Sequence, residues 1–133
     1  MLCINPPQLA RPNGFSHATV AVDTGLVFVS GQVAYDAAGR IVGEGDLAAQ
    51  TRQVMLNLAQ ALEAAGSDFA HVLKLTFFVK HISEAAVATI REVRKDFLNV
   101  DALPASTMVG VAGLAKEALL LEVEAYALLK PGV

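Results

Sequence analysis

Charge is scarce in this chain. Only 17% of its 133 residues are Asp, Glu, Lys or Arg, against about 25% in an ordinary globular domain. The formal net charge is −3 and no run is strongly basic, so the clustered positive footprint that phosphate binding needs is missing. Nucleic acid is therefore not expected as the main partner. Cys3 is the single cysteine, which excludes an internal disulfide and a thiolate metal site. No apolar run approaches the ~18–20 residues that cross a bilayer. A dinucleotide-type glycine fingerprint, a P-loop and a metal-spaced His/Cys set are also missing, so no metal site is expected. The N-terminal "MLCINPPQLARPNGF" has three prolines and no long apolar core, unlike a secretory signal. The expectation is a soluble cytoplasmic protein.

What the chain does have is aliphatic surface. It is 54% hydrophobic, against about 45–50% in average domains, and the surplus is mostly Ala, Val and Leu. The length suits one domain, residues 1–133, with one core. So few charges cannot cover the surface of a small domain. A permanent oligomer with an apolar interface is the expected outlet.

The hydrophobic pattern changes period along the chain. Residues 1–15 read as an extended arm. Strands are expected at His17–Val22 and Leu26–Gly31, the second apolar enough to be covered on both faces. "YDAAGR" reads as a hairpin loop leading into a short strand at Arg40–Gly43. Asp46 then caps a helix whose stripe is Leu47, Val54, Met55, Leu58, Leu62 and Ala65, closed by Gly66. Gln50, Arg52 and Gln53 lie mostly off that stripe. "HVLKLTFFVKHI" is the clearest strand, with Leu73, Leu75, Phe77 and Val79 on one face and Lys74, Thr76, Phe78 and Lys80 on the other. Ser83 caps a second helix with Ala86, Ile90, Val93 and Phe97 buried. Strands at Ala105–Val111 and Ala118–Leu128 follow. The order β-β-β-α-β-α-β-β predicts an α+β fold, with helices on one face of a mixed sheet. The other sheet face carries charged and apolar residues together and is expected to meet other subunits.

Few side chains point to chemistry on their own. His17, His71 and His81 read as surface or edge histidines. Ser30 and Ser106 have no partner visible in the sequence, so no Ser-His-Asp set is assigned. Glu122 and Glu124 project from one strand face between large aliphatics. Such carboxylates reach water, pair with Lys74 or Lys80 across the sheet, or have a pKa raised by desolvation, which would suit proton transfer near neutral pH. Arg91, Arg94 and Lys95 form a basic stripe at i, i+3 and i+4. It is either simply solvated or a grip for a carboxylate ligand.

Six segments in this order, "GFSHA", "LVFVSGQV", "GDLAAQTRQVMLNLAQALEAAG", "VLKLTFFVK", "LPAST" with "VGVAGL", and "LEVEAYA", resemble the Rid family of reactive intermediate deaminases, also called YjgF or endoribonuclease L-PSP. The resemblance covers about Gly14 to Ala127. It implies a chorismate-mutase-like fold, a six-stranded mixed sheet with two helices on one face. It also implies a homotrimer with small-molecule clefts between subunits. The implied activity is cofactor-free hydrolysis of enamines and imines to a 2-oxo acid and ammonia. Ribonuclease activity is also attached to the family.

On the matching positions, Glu122 is the implied water-activating glutamate. Ser30, Gly31 and Thr107 fall in the ligand-binding motifs. Two positions depart from the pattern and a third differs. The family's "PARS" supplies a carboxylate-clamping arginine, and here "PAST" puts Ser106 in its place. A tyrosine hydroxyl is lost at Phe15, and Arg91 stands where an asparagine is common. Activity on ordinary 2-imino acids is therefore expected to be weak, with Arg91 a candidate replacement cation. The alternatives are a non-catalytic metabolite-sensing trimer and, with less support, an endoribonuclease.

Overall fold

The computed structural model describes residues 1–132. Its elements are β1 (Leu2–Ile4), β2 (Ala18–Ala21), β3 (Leu26–Gln32), α1 (Leu47–Ala64), β4 (Val72–Lys80), α2 (Glu84–Arg94), β5 (Ala105–Val111) and β6 (Leu121–Leu128). The six strands form one sheet in the order β1-β2-β3-β6-β4-β5. Only the β4–β5 pair is parallel, and α2 makes its crossover. The sheet is mixed and both helices cover one face, as the sequence predicts.

Local chemistry fixes the helix ends. The Asp46 carboxylate accepts from the Ala49 N–H at 3.0 Å and starts α1. Ser83 does the same for α2, accepting from Ala86 N–H at 3.0 Å. Each cap stabilises its helix by about 1 kcal/mol. Gly66 leaves α1 at φ 86°, a left-handed conformation that disfavours a side chain. The inner stripes then meet the sheet: Val54, Met55, Leu58 and Leu62 from α1 and Ile90 from α2 are fully buried, as are Leu75, Phe77, Val79, Leu121 and Val123. Burying each such side chain contributes about 1.5–3 kcal/mol.

The structure corrects several expectations. Residues 40–43 form no strand; a single bridge joins Tyr35 and Ile41. The Asp36 carboxylate takes the N–H groups of Ala38 and Arg40 at 3.0 and 2.9 Å, and this local turn replaces a ladder. The missing strand is supplied from the expected arm, where Leu2–Ile4 pairs with β2. The last strand begins at Leu121 instead of Ala118. Leu73 is exposed, because the β4–β6 register shifts between Val72 and Lys74. Gln50, read as lying off the buried stripe, is wholly buried.

The outer face of the sheet has no helix over it. Phe28 and Tyr126 stand 41% and 42% exposed there, with ring centroids 5.2 Å apart. The expectation that β3 is covered on both faces fails at Phe28 within one chain.

Candidate functional site

At β3 the ladder with β6 is interrupted between Val29 and Gln32. This irregularity lifts Ser30 and Gly31 out of register, and Glu122 of β6 lays its carboxylate over Gly31. A Cβ on residue 31 would lie 2.7 Å from Glu122 Cδ, so only glycine leaves that space open. The Glu122 carboxylate thus fills the room that the missing side chain leaves.

Glu122 lines a cleft of about 520 Å³. One wall is the N-terminal segment, with Arg11, Asn13 and Phe15. The loop after β3 contributes Tyr35, and the loop before β6 contributes Lys116. Neither lysine proposed as a partner neutralises Glu122. The Lys80 ammonium is buried and donates to the Glu117 carbonyl and Oε1 at 2.6 and 2.9 Å. Lys74 lies opposite Tyr126 in the β4–β6 ladder. Among the described residues, Glu122 and Glu124 enter no ion pair within 4 Å. Desolvation, and secondarily the Glu124 charge, push the Glu122 carboxyl above its ordinary value of 4.5. The desolvated-acid reading of this residue is the one the geometry favours.

Buried amides hold the cleft walls. Gln50 of α1 donates to the carbonyls of Gly43 and Ala118 at 3.2 and 2.8 Å and accepts from Leu120 N–H at 2.9 Å. One side chain therefore ties together the loops on two sides of the site. Asn57 donates to the carbonyls of Val33 and Tyr35 at 3.0 and 2.9 Å. On the arm side His17 is buried, not a surface histidine as its sequence position suggests. Its Nε2 meets the Ala10 carbonyl at 2.7 Å and its Nδ1 meets Gln32 Nε2 at 3.0 Å. With both ring nitrogens engaged, His17 anchors the arm and offers no free base. Phe15 packs edge-on against it, 5.3 Å between centroids. Ser30 is equally committed: its hydroxyl donates to the Ser16 carbonyl at 2.5 Å.

The expected site residues separate into two groups. Phe15, Gly31 and Glu122 share the cleft, with Ser30 beside them. Ser106, Thr107 and Arg91 lie at the far edge of the sheet, two strands away on β5 and on the neighbouring α2. Ser106 pairs with Leu75 and faces the helices, whereas Thr107 pairs with Thr76 on the open face. The side chain that meets Ser106 is Arg94, with Nη1 3.4 Å from Oγ. Arg91 stands one turn away and is exposed. Sequence reasoning missed Arg11, Asn13, Tyr35 and Lys116. They sit on irregular segments where periodicity carries no signal.

The sequence pattern of the family described as endoribonuclease L-PSP matches residues 7–129, nearly the whole chain. The chain belongs to the Rid, or endoribonuclease L-PSP, family. Among its relatives, the RutC family protein slr0709 of Synechocystis is 32% identical over 130 residues, 97% of each chain. The 2-iminobutanoate/2-iminopropanoate deaminase of Rattus norvegicus is 33% identical over 105 residues, 79% of this chain and 74% of the rat protein. Escherichia coli TdcF, solved with bound serine, superimposes with a TM-score of 0.84 at 26% identity, covering 98% of this chain and 100% of that one. The YjgF-like architecture is thereby the fold of a Rid protein, with the Glu122 cleft on a scaffold whose relatives include a deaminase.

Proposed function

We propose that this Rid protein is a cofactor-independent hydrolase of imine-like C–N intermediates, with Glu122 as its acid–base group. The observation that carries the reading is the half-buried, ion-pair-free Glu122 carboxylate over Gly31 in an open cleft. Glu122 takes a proton from water as the oxygen adds to the imine carbon. It returns that proton to nitrogen, giving the carbinolamine; the proton of the new hydroxyl then passes by way of Glu122 to the same nitrogen, the C–N bond breaks, and ammonia leaves with its electron pair while the carbonyl forms. A carboxyl whose pKa is raised toward neutrality serves both transfers better than an ordinary glutamate. The rat relative's name supports the reaction class.

The reading also includes a homotrimer in which the open sheet faces pack together and each cleft is closed by a neighbour. The exposed Phe28 and Tyr126 support this, since with Val109 and Leu128 they leave apolar surface on the open face. Ordinary 2-imino acids are expected to turn over slowly, because β5 presents the Ser106 hydroxyl where a guanidinium would grip their carboxylate. The test is ammonia release from freshly generated 2-iminobutanoate and from neutral imines. Glu122→Gln is expected to lower turnover by about 100-fold or more. Undiminished turnover in that variant defeats the reading.

A second reading, a metabolite-sensing trimer without chemistry, is favoured by Phe15, which brings no hydroxyl to the cleft. A ligand that raises Tm and is recovered unchanged, with no imine hydrolysed, would decide for it. Endoribonuclease action has less support, since both ring nitrogens of His17 are occupied and His71 is bonded to Asp68 at 2.6 Å. Highly purified protein is expected to leave RNA intact.

A further inference from the structure

Two cations line the Glu122 cleft, and they come from different segments. Arg11 belongs to the N-terminal arm and Lys116 to the loop before β6. Both are exposed, and neither enters an ion pair within 4 Å among the described residues. Two acids of the flanking loops are already committed elsewhere. Glu117, next to Lys116, holds the Lys80 ammonium at 2.9 Å, and Asp36 holds Arg40 at 3.1 Å. With two cations and one acid, the cleft lining is net positive in a chain whose formal net charge is −3.

The backbone beside each cation is pinned by a buried polar side chain. Next to Arg11, the Ala10 carbonyl accepts from His17 Nε2 at 2.7 Å. Next to Lys116, the Glu117 carbonyl accepts from Lys80 Nζ at 2.6 Å and the Ala118 carbonyl from Gln50 Nε2 at 2.8 Å. His17, Lys80 and Gln50 are all buried. The charged ends are thus open to a ligand while the segments that carry them are fixed, which lowers the ordering cost of binding. The cleft volume of about 520 Å³ falls among pockets of about 300–1,000 Å³ that hold drug-sized ligands, and a four-carbon imine leaves most of it empty.

We propose that Arg11 and Lys116 are specificity-determining residues, which select for the Glu122 cleft a substrate carrying a second, distal oxyanion, a side-chain carboxylate or a phosphate ester, remote from the C–N bond. The inference rests on the reading of Glu122 as the acid–base group of this cleft and names the far end of its substrate. The planar fork of Arg11 grips two oxygens, and Lys116 adds a point charge. Residue 106 takes no part in this contact, since Ser106 lies two strands away on β5 in the same chain and carries no charge.

The experiment is calorimetric and NMR titration of the full chain with stable carbonyl analogues of the product. The probes are 2-oxobutanoate, 2-oxoglutarate, its neutral 5-methyl ester, and 2-oxo-4-phosphonobutanoate. 2-Oxoglutarate or the phosphonate is expected to bind at least about tenfold more tightly than the ester and 2-oxobutanoate. The tighter of the two identifies the oxyanion as carboxylate or phosphate-like. The amides of Arg11, Asn13, Lys116 and Glu117 are expected to shift. Arg11→Gln and Lys116→Gln together are expected to erase the preference and leave 2-oxobutanoate binding unchanged; both side chains are exposed, so the fold is retained. Arg11→Lys is expected to keep part of the preference. Raising salt from about 0.05 M to about 0.5 M is expected to weaken the distal anions more than the ester. The preference is expected to persist in Glu122→Gln, so a failure of catalysis and a failure of selection are read apart. Equal binding of distal anion and ester overturns the assignment. So does a preference that survives the double variant, or shifts centred on Arg94 and Ser106.

Discussion

The Glu122 cleft and the Arg94 edge are mirror cases on one sheet. The first holds an acid with no ion-pair partner, set into the middle of the sheet where the β3–β6 ladder breaks. The second holds a cation with no ion-pair partner among the described residues, at the end of a helix beside an edge strand. Two opposite charges that could neutralise each other stand two strands apart, and Ser106 faces the helices while Glu122 faces the open side. Each charge therefore keeps its desolvation cost, which ion pairing would offset, and each is available to a ligand. The two sites also differ in what holds them. Glu122 rests on a backbone irregularity and a glycine, whereas Arg94 rests on the face of an aromatic ring.

The largest expected effect comes from pushing Glu122 off its glycine. In Gly31→Ala the new Cβ would collide with the carboxylate, 2.7 Å from Cδ. The obstructing atoms are the end of a flexible side chain and residue 31 has no positive φ, so the acid swings away at little cost to the fold. Imine turnover is expected to fall about as far as in Glu122→Gln, roughly 100-fold, with Tm within a few degrees of the parent. A large loss of stability with normal turnover in the surviving fraction would show that the carboxylate need not lie where it does.

Sequence periodicity reaches the scaffold and stops at the site. Both helices, their caps and the buried faces of β6 and, from Leu75 onward, of β4 follow from spacing, because a core residue repeats its environment every turn or every second residue. The cleft breaks that repetition. Its floor is an irregularity whose residues 30 and 31 leave the ladder, and its walls are loops held by Gln50 and Asn57, polar residues that a hydrophobic pattern assigns to the surface. The short strand expected at 40–43 fails for the same kind of reason, since Asp36 satisfies the local N–H groups that a ladder would have used. The arm strand at Leu2–Ile4 is invisible because three residues are too few to show a period. The basic stripe on α2 is legible as a stripe. Which of its members turns toward Ser106 depends on the position of Phe77, which only the folded chain supplies.

A smaller effect is expected from relocating the cation. Ser106→Arg alone places a second guanidinium beside Arg94, and like charges at that distance oppose each other. Paired with Arg94→Ser, the same change moves one guanidinium from helix to strand without adding charge. The double variant is expected to raise turnover of 2-iminobutanoate about tenfold over the parent, the worth of roughly one charge-assisted hydrogen bond, and to exceed Ser106→Arg alone. Equal rates in both variants would show that Arg94 does not influence what residue 106 can hold.

The smallest expected effect is on stability against pH, and it separates the two charges most cleanly. The Glu122 carboxyl titrates above 4.5 in the folded chain because burial and Glu124 disfavour its charged form. Between the unfolded and folded values the native state binds more protons than the unfolded state, so stability falls as pH rises through that window. Below the unfolded value the neutral acid leaves the fold at its full stability. Above the folded value the buried charge subtracts a constant amount. Glu122→Gln removes that dependence. Its Tm is expected to match the parent near pH 4 and to exceed it at pH 8, by a margin limited because the side chain is only half-buried. Arg94→Lys keeps its charge across the same range and is expected to follow the parent's profile. A Glu122→Gln protein less stable than the parent at pH 8 would mean that the ionised carboxylate is held by a favourable partner, such as a neighbouring subunit's cation, and that its isolation ends on assembly.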